Sequence, residues 1–233
     1  MFTKTSPLNT TAKVAGLSCL LSTAIVVYTN FGIVSKLMVA GNPARTAQNI
    51  LDHESLFRLS IIGHMFYCVG LLIFLSALYV ILKRVNEGLA LAAALFRLVF
   101  ALIWILVVLN FFTALRLISN DYLKVIETER LQALAKLFLS GYDAYYVGLL
   151  FWSLASTLCG WLWFRSKFIP TALGLFGFAS SAWCVFCAVV FLVYPDFDKI
   201  VNLWWFDSPM AVFEIVLSFW LLFKGIRAPR TEH

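Results

Sequence analysis

Six stretches of the chain meet the length of about 20 mostly apolar residues that a helix needs to cross ~30 Å of hydrocarbon. They run over about 14–38, 56–82, 89–118, 142–164, 171–194 and 210–223. Each is apolar on both parities, whereas a lipid-facing barrel strand alternates, so the pattern predicts helices. Composition agrees: 62% of residues are hydrophobic and only 13% charged, against roughly 45–50% and about 25% in soluble domains. That excess exceeds what one globular core can hide, so the solvent is lipid. A disordered chain, a disulfide scaffold and an ordinary cytosolic enzyme are excluded together. The predicted fold is an all-α, polytopic membrane helix bundle: one domain over 1–233 with six transmembrane helices.

The connections alternate in charge. One set holds Lys4, Lys13, Lys83, Arg84, Arg165, Lys167, Lys224, Arg227 and Arg230 with only Glu87 and Glu232 as acids. The other carries Asp52, Glu54, Asp121, Glu127, Glu129, Asp196, Asp198 and Asp207, with its basic residues diluted among them. Lys and Arg accumulate on the cytoplasmic side. Both termini are therefore expected in the cytoplasm, which demands an even number of spans. Orientation accounts for the net charge of +6, and no nucleic-acid partner is expected. The first apolar run is longer than the 7–15 residues of a signal-peptide core and reads as a retained span. Cys19, Cys68, Cys159, Cys184 and Cys187 all fall inside apolar segments and read as small hydrophobes.

The outer loops are expected to carry short amphipathic helices. Asn42-Pro43 reads as an N-cap and a first-turn proline, opening a helix over Ala44 to Asp52 with Ala47, Ile50 and Leu51 on one face. Glu127 to Leu139 sets Leu131, Leu134, Leu137 and Phe138 against Glu129, Arg130 and Lys136, the pattern of an interfacial helix. Trp204 and Trp205 suit the outer aromatic belt, Trp161 and Trp163 the inner one. Ser208-Pro209 reads as the cap and first turn of the sixth span.

Ionisable residues within spans are costly and tend to face the bundle interior, so their depths are informative. Arg97 lies nine residues past Gly88, roughly 14 Å deep, and Glu214 ten residues before Lys224, roughly 15 Å. An intramembrane ion pair between the third and sixth spans follows. A second group sits higher: Arg58 about 37 Å up, Asp143 and Asn110 about 33 Å up. His64 hangs one to two turns below Arg58, and Tyr142, Tyr145 and Tyr146 are close in sequence. The bland reading of Arg58 and Asp143 is snorkelling at the interface, of His64 a satisfied core histidine, and of Arg97 and Glu214 a clamp between helices. Cys184 and Cys187 are one helical turn apart, yet apolar flanks leave such thiols inert. The His, Cys and Asp spacings fit no metal, and no phosphate loop or hydrolase motif occurs. No cofactor is expected.

Ser35-Lys36-Leu37, Thr46-Ala47-Gln48-Asn49-Ile50 and Glu54-Ser55-Leu56-Phe57-Arg58, preceded by Lys13-Val14-Ala15-Gly16, make a distinctive series. Ala94-Leu95-Phe96-Arg97, Ser140-Gly141-Tyr142-Asp143 and Phe213-Glu214 extend it. Together they resemble a bacterial multi-spanning membrane family catalogued only as a domain of unknown function, over nearly the whole chain. Members often carry His-Asp where Tyr142-Asp143 stands and an acid at Asn42. The resemblance implies a bacterial cytoplasmic membrane, no established activity, and a shared pattern for the polar positions. The leading expectation is an intramembrane site for a small amphipathic or lipophilic molecule, with Arg58, Asn110, Asp143 and His64 near the mouth and Arg97 and Glu214 at the floor. A terpene-cyclase-type enzyme is the alternative, with Glu214 or Asp143 as catalytic acid. Arg97 favours an ionised Glu214, which makes Asp143 the better acid. A small transporter and a structural accessory protein are the remaining readings. The spans lack the interior prolines of broken transporter helices. A closed chamber would favour binder or enzyme, a through-tunnel transport, and a packed pair without a cavity the clamp. Oligomeric state is not legible.

Overall fold

The computed structural model describes residues 7–119, 127–140 and 142–227. The described residues are helical, with no strand among them. Five segments are long and apolar enough to cross a membrane: Pro7–Leu37, Glu54–Leu82, Glu87–Ser119, Thr128–Ser166 and Thr171–Val193. The sixth expected span is a shorter apolar helix, Ser208–Phe223. Its 16 residues rise about 24 Å, less than the ~30 Å of hydrocarbon.

In chain order, α1 is Pro7–Val27 and continues into a π-helical segment, Tyr28–Val34, closed by one turn, α2 (Ser35–Leu37). Then come α3 (Pro43–Asp52), α4 (Glu54–Leu82), α5 (Glu87–Ser119), α6 (Thr128–Ser140), α7 (Tyr142–Ser166) and α8 (Thr171–Val193). A 3₁₀ turn, Pro195–Lys199, leads to α9 (Leu203–Phe206) and α10 (Ser208–Phe223). The caps explain several boundaries. Asn42 Oδ1 accepts from the Arg45 amide at 2.9 Å, with Pro43 in the first turn, as its cap chemistry predicts. Asn86 Oδ1 accepts from Leu89 N at 2.9 Å and starts α5. At α10 the expectation needs correction. Ser208 is the first helical residue and Asp207 the N-cap, because the Ser208 hydroxyl is turned to Asp207 Oδ1 and not to a helix amide.

The chain forms two compact units. The first takes the described residues within 1–21, 70–101 and 146–233. Its core interleaves Cys19 of α1, Phe74 and Ile81 of α4, Ala93 of α5, Trp163 of α7 and Leu217 of α10. Backbones approach closely where glycine permits: Gly16 of α1 lies against Ser218 and Leu222 of α10, and Gly160 of α7 against Phe178 of α8. Small residues allow such contacts between membrane helices.

The second unit takes the described residues within 22–69 and 102–145. Ile33 and Val34, Ile50 of α3, Phe57 and Ile61 of α4, Phe111 of α5, and Ala135 and Leu139 of α6 make its core. The buried stripe of α6 is Leu131, Ala135 and Leu139, while Leu134 and Leu137 are exposed. The expected apolar face of Leu131, Leu134, Leu137 and Phe138 is thus divided. One stripe covers α3, and the leucines between point outward, as suits a helix lying in an interface.

Candidate functional site

The polar centre of the first unit is built from α5, α7 and α10. Arg97 stands ten residues into α5, about 15 Å, and Glu214 nine residues from the end of α10, about 14 Å. Both lie on the face that a membrane helix turns inward, with Arg97 2% and Glu214 8% exposed. Arg97 Nη2 donates to Glu214 Oε1 at 2.5 Å, and Nη1 donates to Oε2 at 3.4 Å. This two-pronged arrangement suits a guanidinium facing a carboxylate.

Two side chains from α7 complete it, one turn apart. Ser156 Oγ accepts from Arg97 Nη2 at 2.7 Å and donates to Glu214 Oε1 at 2.7 Å. Trp152 Nε1 donates to the same Oε1 at 2.9 Å. Phe100 stacks on Trp152 with centroids 5.5 Å apart, and the Arg97 guanidinium lies 5.1 Å from the Phe74 ring centre. Ser218 Oγ donates to the Glu214 carbonyl at 2.6 Å. A buried ion pair offsets its desolvation only when further hydrogen bonds satisfy what remains; here Oε1 receives three donors. One group stays open. Arg97 Nε is fully buried and has no hydrogen-bond acceptor among the described residues. Beside Arg97 a cleft of about 10 Å³ is lined by Leu75, Leu78, Tyr79, Ala90, Ala94 and Cys159, among others.

Among the residues expected at the mouth, the structure describes the side chains of Arg58, Asn110 and His64. Arg58 pairs with Glu54 on its own helix at 2.7 Å, and the side chains are 53% and 39% exposed. Asn110 sits half-buried on α5. Asp143 belongs to α7, but its side chain lies outside the described residues, as does that of Tyr142.

His64, 1% exposed, makes a centre of its own in the second unit. Its Nδ1 meets the Ser60 carbonyl at 2.7 Å, so Nδ1 carries the proton. Nε2 faces the Asn30 side chain at 3.1 Å. The ring stacks on Trp104 at 5.9 Å and meets Phe111 edge-on at 5.3 Å. Asn30 comes from the π-helical segment, a winding found mostly at single turns and often at functional sites. Gly63 makes room for it, since a Cβ there would collide with Thr29.

Much of the distinctive motif series serves structure. Thr46 Oγ1 accepts from Val39 N at 2.9 Å, and Asn49 Nδ2 donates to the Leu37 carbonyl at 3.2 Å. These bonds latch α3 onto the end of α2, with Ala47 and Ile50 buried beneath. Ser156, Trp152 and Asn30 were not singled out by depth counting. Serines and tryptophans are common in spans, and only a known partner marks these as site residues. Cys184 and Cys187 are free thiols, both fully buried.

A helical, lipid-embedded chain with a charge-compensated ion pair buried in one unit is an all-α polytopic membrane protein. More particularly, the chain belongs to the family described as Domain of unknown function (DUF4386), whose match covers residues 14–225. No curated protein and no solved structure matches the chain.

Proposed function

We propose that this protein is a binding protein of a bacterial cytoplasmic membrane, forming one membrane domain with both termini in the cytoplasm. Its ligand is a small amphipathic or lipophilic molecule held at the Arg97–Glu214 group. The alternating loop charges support the orientation. One observation carries the site: the Arg97 Nε donor is fully buried, without a protein acceptor among the described residues, on a side chain that lines an otherwise largely apolar cleft. A buried donor left unmade costs about 1–3 kcal/mol, and a ligand acceptor recovers that cost.

Catalysis by Glu214 as an acid is not favoured. Its Oε1 receives N–H and O–H groups from Arg97, Trp152 and Ser156, an environment for a carboxylate that accepts. A specific observation also favours a second reading, the helix clamp: the pair is buried, and the cleft has room for about one water.

Arg97→Lys separates the two readings. Lysine keeps a charge for Glu214 but lacks the second kind of donor. Native mass spectrometry and lipid extraction of the purified chain are expected to show a co-purifying small molecule in the wild type and its loss in Arg97→Lys at unchanged yield. A wild type that carries nothing under mild extraction, with both proteins equally stable, leaves the clamp as the function.

A further inference from the structure

We propose that the ligand group read by Arg97 is an uncharged hydrogen-bond acceptor, an ester, ketone or amide carbonyl at the end of an apolar chain. This rests on the binding reading above and names its chemistry. Three observations lead to it.

The first is charge. Arg97 is already neutralised by Glu214 through a two-pronged contact. An anion arriving beside this pair would leave a net negative charge in a low-dielectric site, which is heavily disfavoured. A cation meets the guanidinium face and is repelled. A neutral acceptor alone completes the arrangement without adding charge.

The second is the donor inventory. Of the five N–H bonds of a guanidinium, two on Nη2 and one on Nη1 supply Ser156 and Glu214, while the buried Nε has no protein acceptor among the described residues. Nε carries a single proton, so one lone pair suffices. The Tyr79 hydroxyl, also at the cleft, donates to Glu87 Oε1 at 3.4 Å and is committed there.

The third is shape. The cleft of about 10 Å³ takes one oxygen-sized atom. Around it Leu78, Ala90, Ala93 and Cys159 are buried, whereas Leu75, Tyr79 and Ala94 are half-buried. The less buried side of the cleft therefore lies along α4 and α5, at Leu75, Tyr79 and the small Ala94. A carbonyl oxygen fits its buried end and an alkyl chain the less buried side, entering from the bilayer itself.

The test uses the purified full-length chain and three twelve-carbon probes: methyl laurate, sodium laurate and dodecane. Retention is read by native mass spectrometry across a concentration series. Methyl laurate is expected to be retained at about tenfold lower concentration than either of the others, the weight of one hydrogen bond to a charged donor. Ala94→Leu, which narrows the cleft and keeps both members of the ion pair, abolishes that preference. Glu214→Gln leaves the guanidinium uncompensated and inverts the order, so that laurate is retained best. Wild-type retention of laurate equal to or better than the ester overturns the neutral-acceptor assignment and leaves the binding reading standing. Ester retention unaffected by Ala94→Leu overturns the placement in the cleft. Retention of none of the probes, together with no co-purifying molecule, overturns both.

Discussion

Arg97→Ala is expected to be among the most damaging single substitutions in this protein. It removes the partner of a buried carboxylate and leaves Glu214, Ser156 and Trp152 around an uncompensated charge. Breaking a buried pair from one side costs about 3–5 kcal/mol. For a chain of this length that is a fall in midpoint on the order of 10 °C, read by thermal unfolding of detergent-solubilised protein with size-exclusion detection. The informative comparison is the double variant Arg97→Met, Glu214→Leu. Replacing both charges by apolar groups of similar volume is often neutral, so most of the loss returns. It does not return fully, because Trp152 Nε1 and the Ser156 hydroxyl lose their acceptor. Adding Ser156→Ala recovers a further part. A single Arg97→Ala variant that melts with the wild type overturns the account of the pair as a buried, mutually dependent unit.

The second large effect is expected at Gly160. A Cβ there would lie 2.6 Å from Phe178 N and 2.8 Å from Phe178 Cα. Those are backbone atoms of α8, which cannot swing aside as a side chain would. Gly160→Ala must push α7 and α8 apart, and overpacking costs typically 1–3 kcal/mol. The loss spreads to Ser156 and Trp152, which α7 carries one and two turns earlier. Gly88→Ala is the control. Its added Cβ meets only Asn86 Oδ1 at an ordinary 3.6 Å, at the start of α5, where alanine is the better helix former. The expected melts are lowered for Gly160→Ala and equal or raised for Gly88→Ala. Equal melts for the two would contradict close backbone packing of α7 on α8.

The ion pair was legible in the sequence because two conditions coincide. Arg97 and Glu214 each lie on a helix whose end is marked by basic residues, so counting at 1.5 Å per residue placed them at one depth. Depth says nothing of direction around the axis, and that direction is what separates Arg58 from His64. Arg58 and His64 are six residues apart, 240° around a helix of 3.6 residues per turn. One therefore faces outward with Glu54, and the other inward against Trp104. The π-helical winding of Tyr28–Val34 leaves no trace in residue type, although Thr29 packs on Gly63 and Asn30 meets His64 from within it. On α6 apolar residues occupy two faces, and periodicity alone cannot say which is covered. Spans and caps were the readable part, as they depend on local chemistry: run length, a proline in a first turn, an asparagine before it.

All five cysteines are 5% exposed or less. The native chain is thus its own blank for water-soluble, membrane-impermeant maleimides. A single cysteine placed in the Lys83–Asn86 turn or in the Trp204–Trp205 segment would be the sole reactive thiol. Labelling intact cells with it would map the sidedness of each connection without first stripping the protein of its natural sulfhydryls.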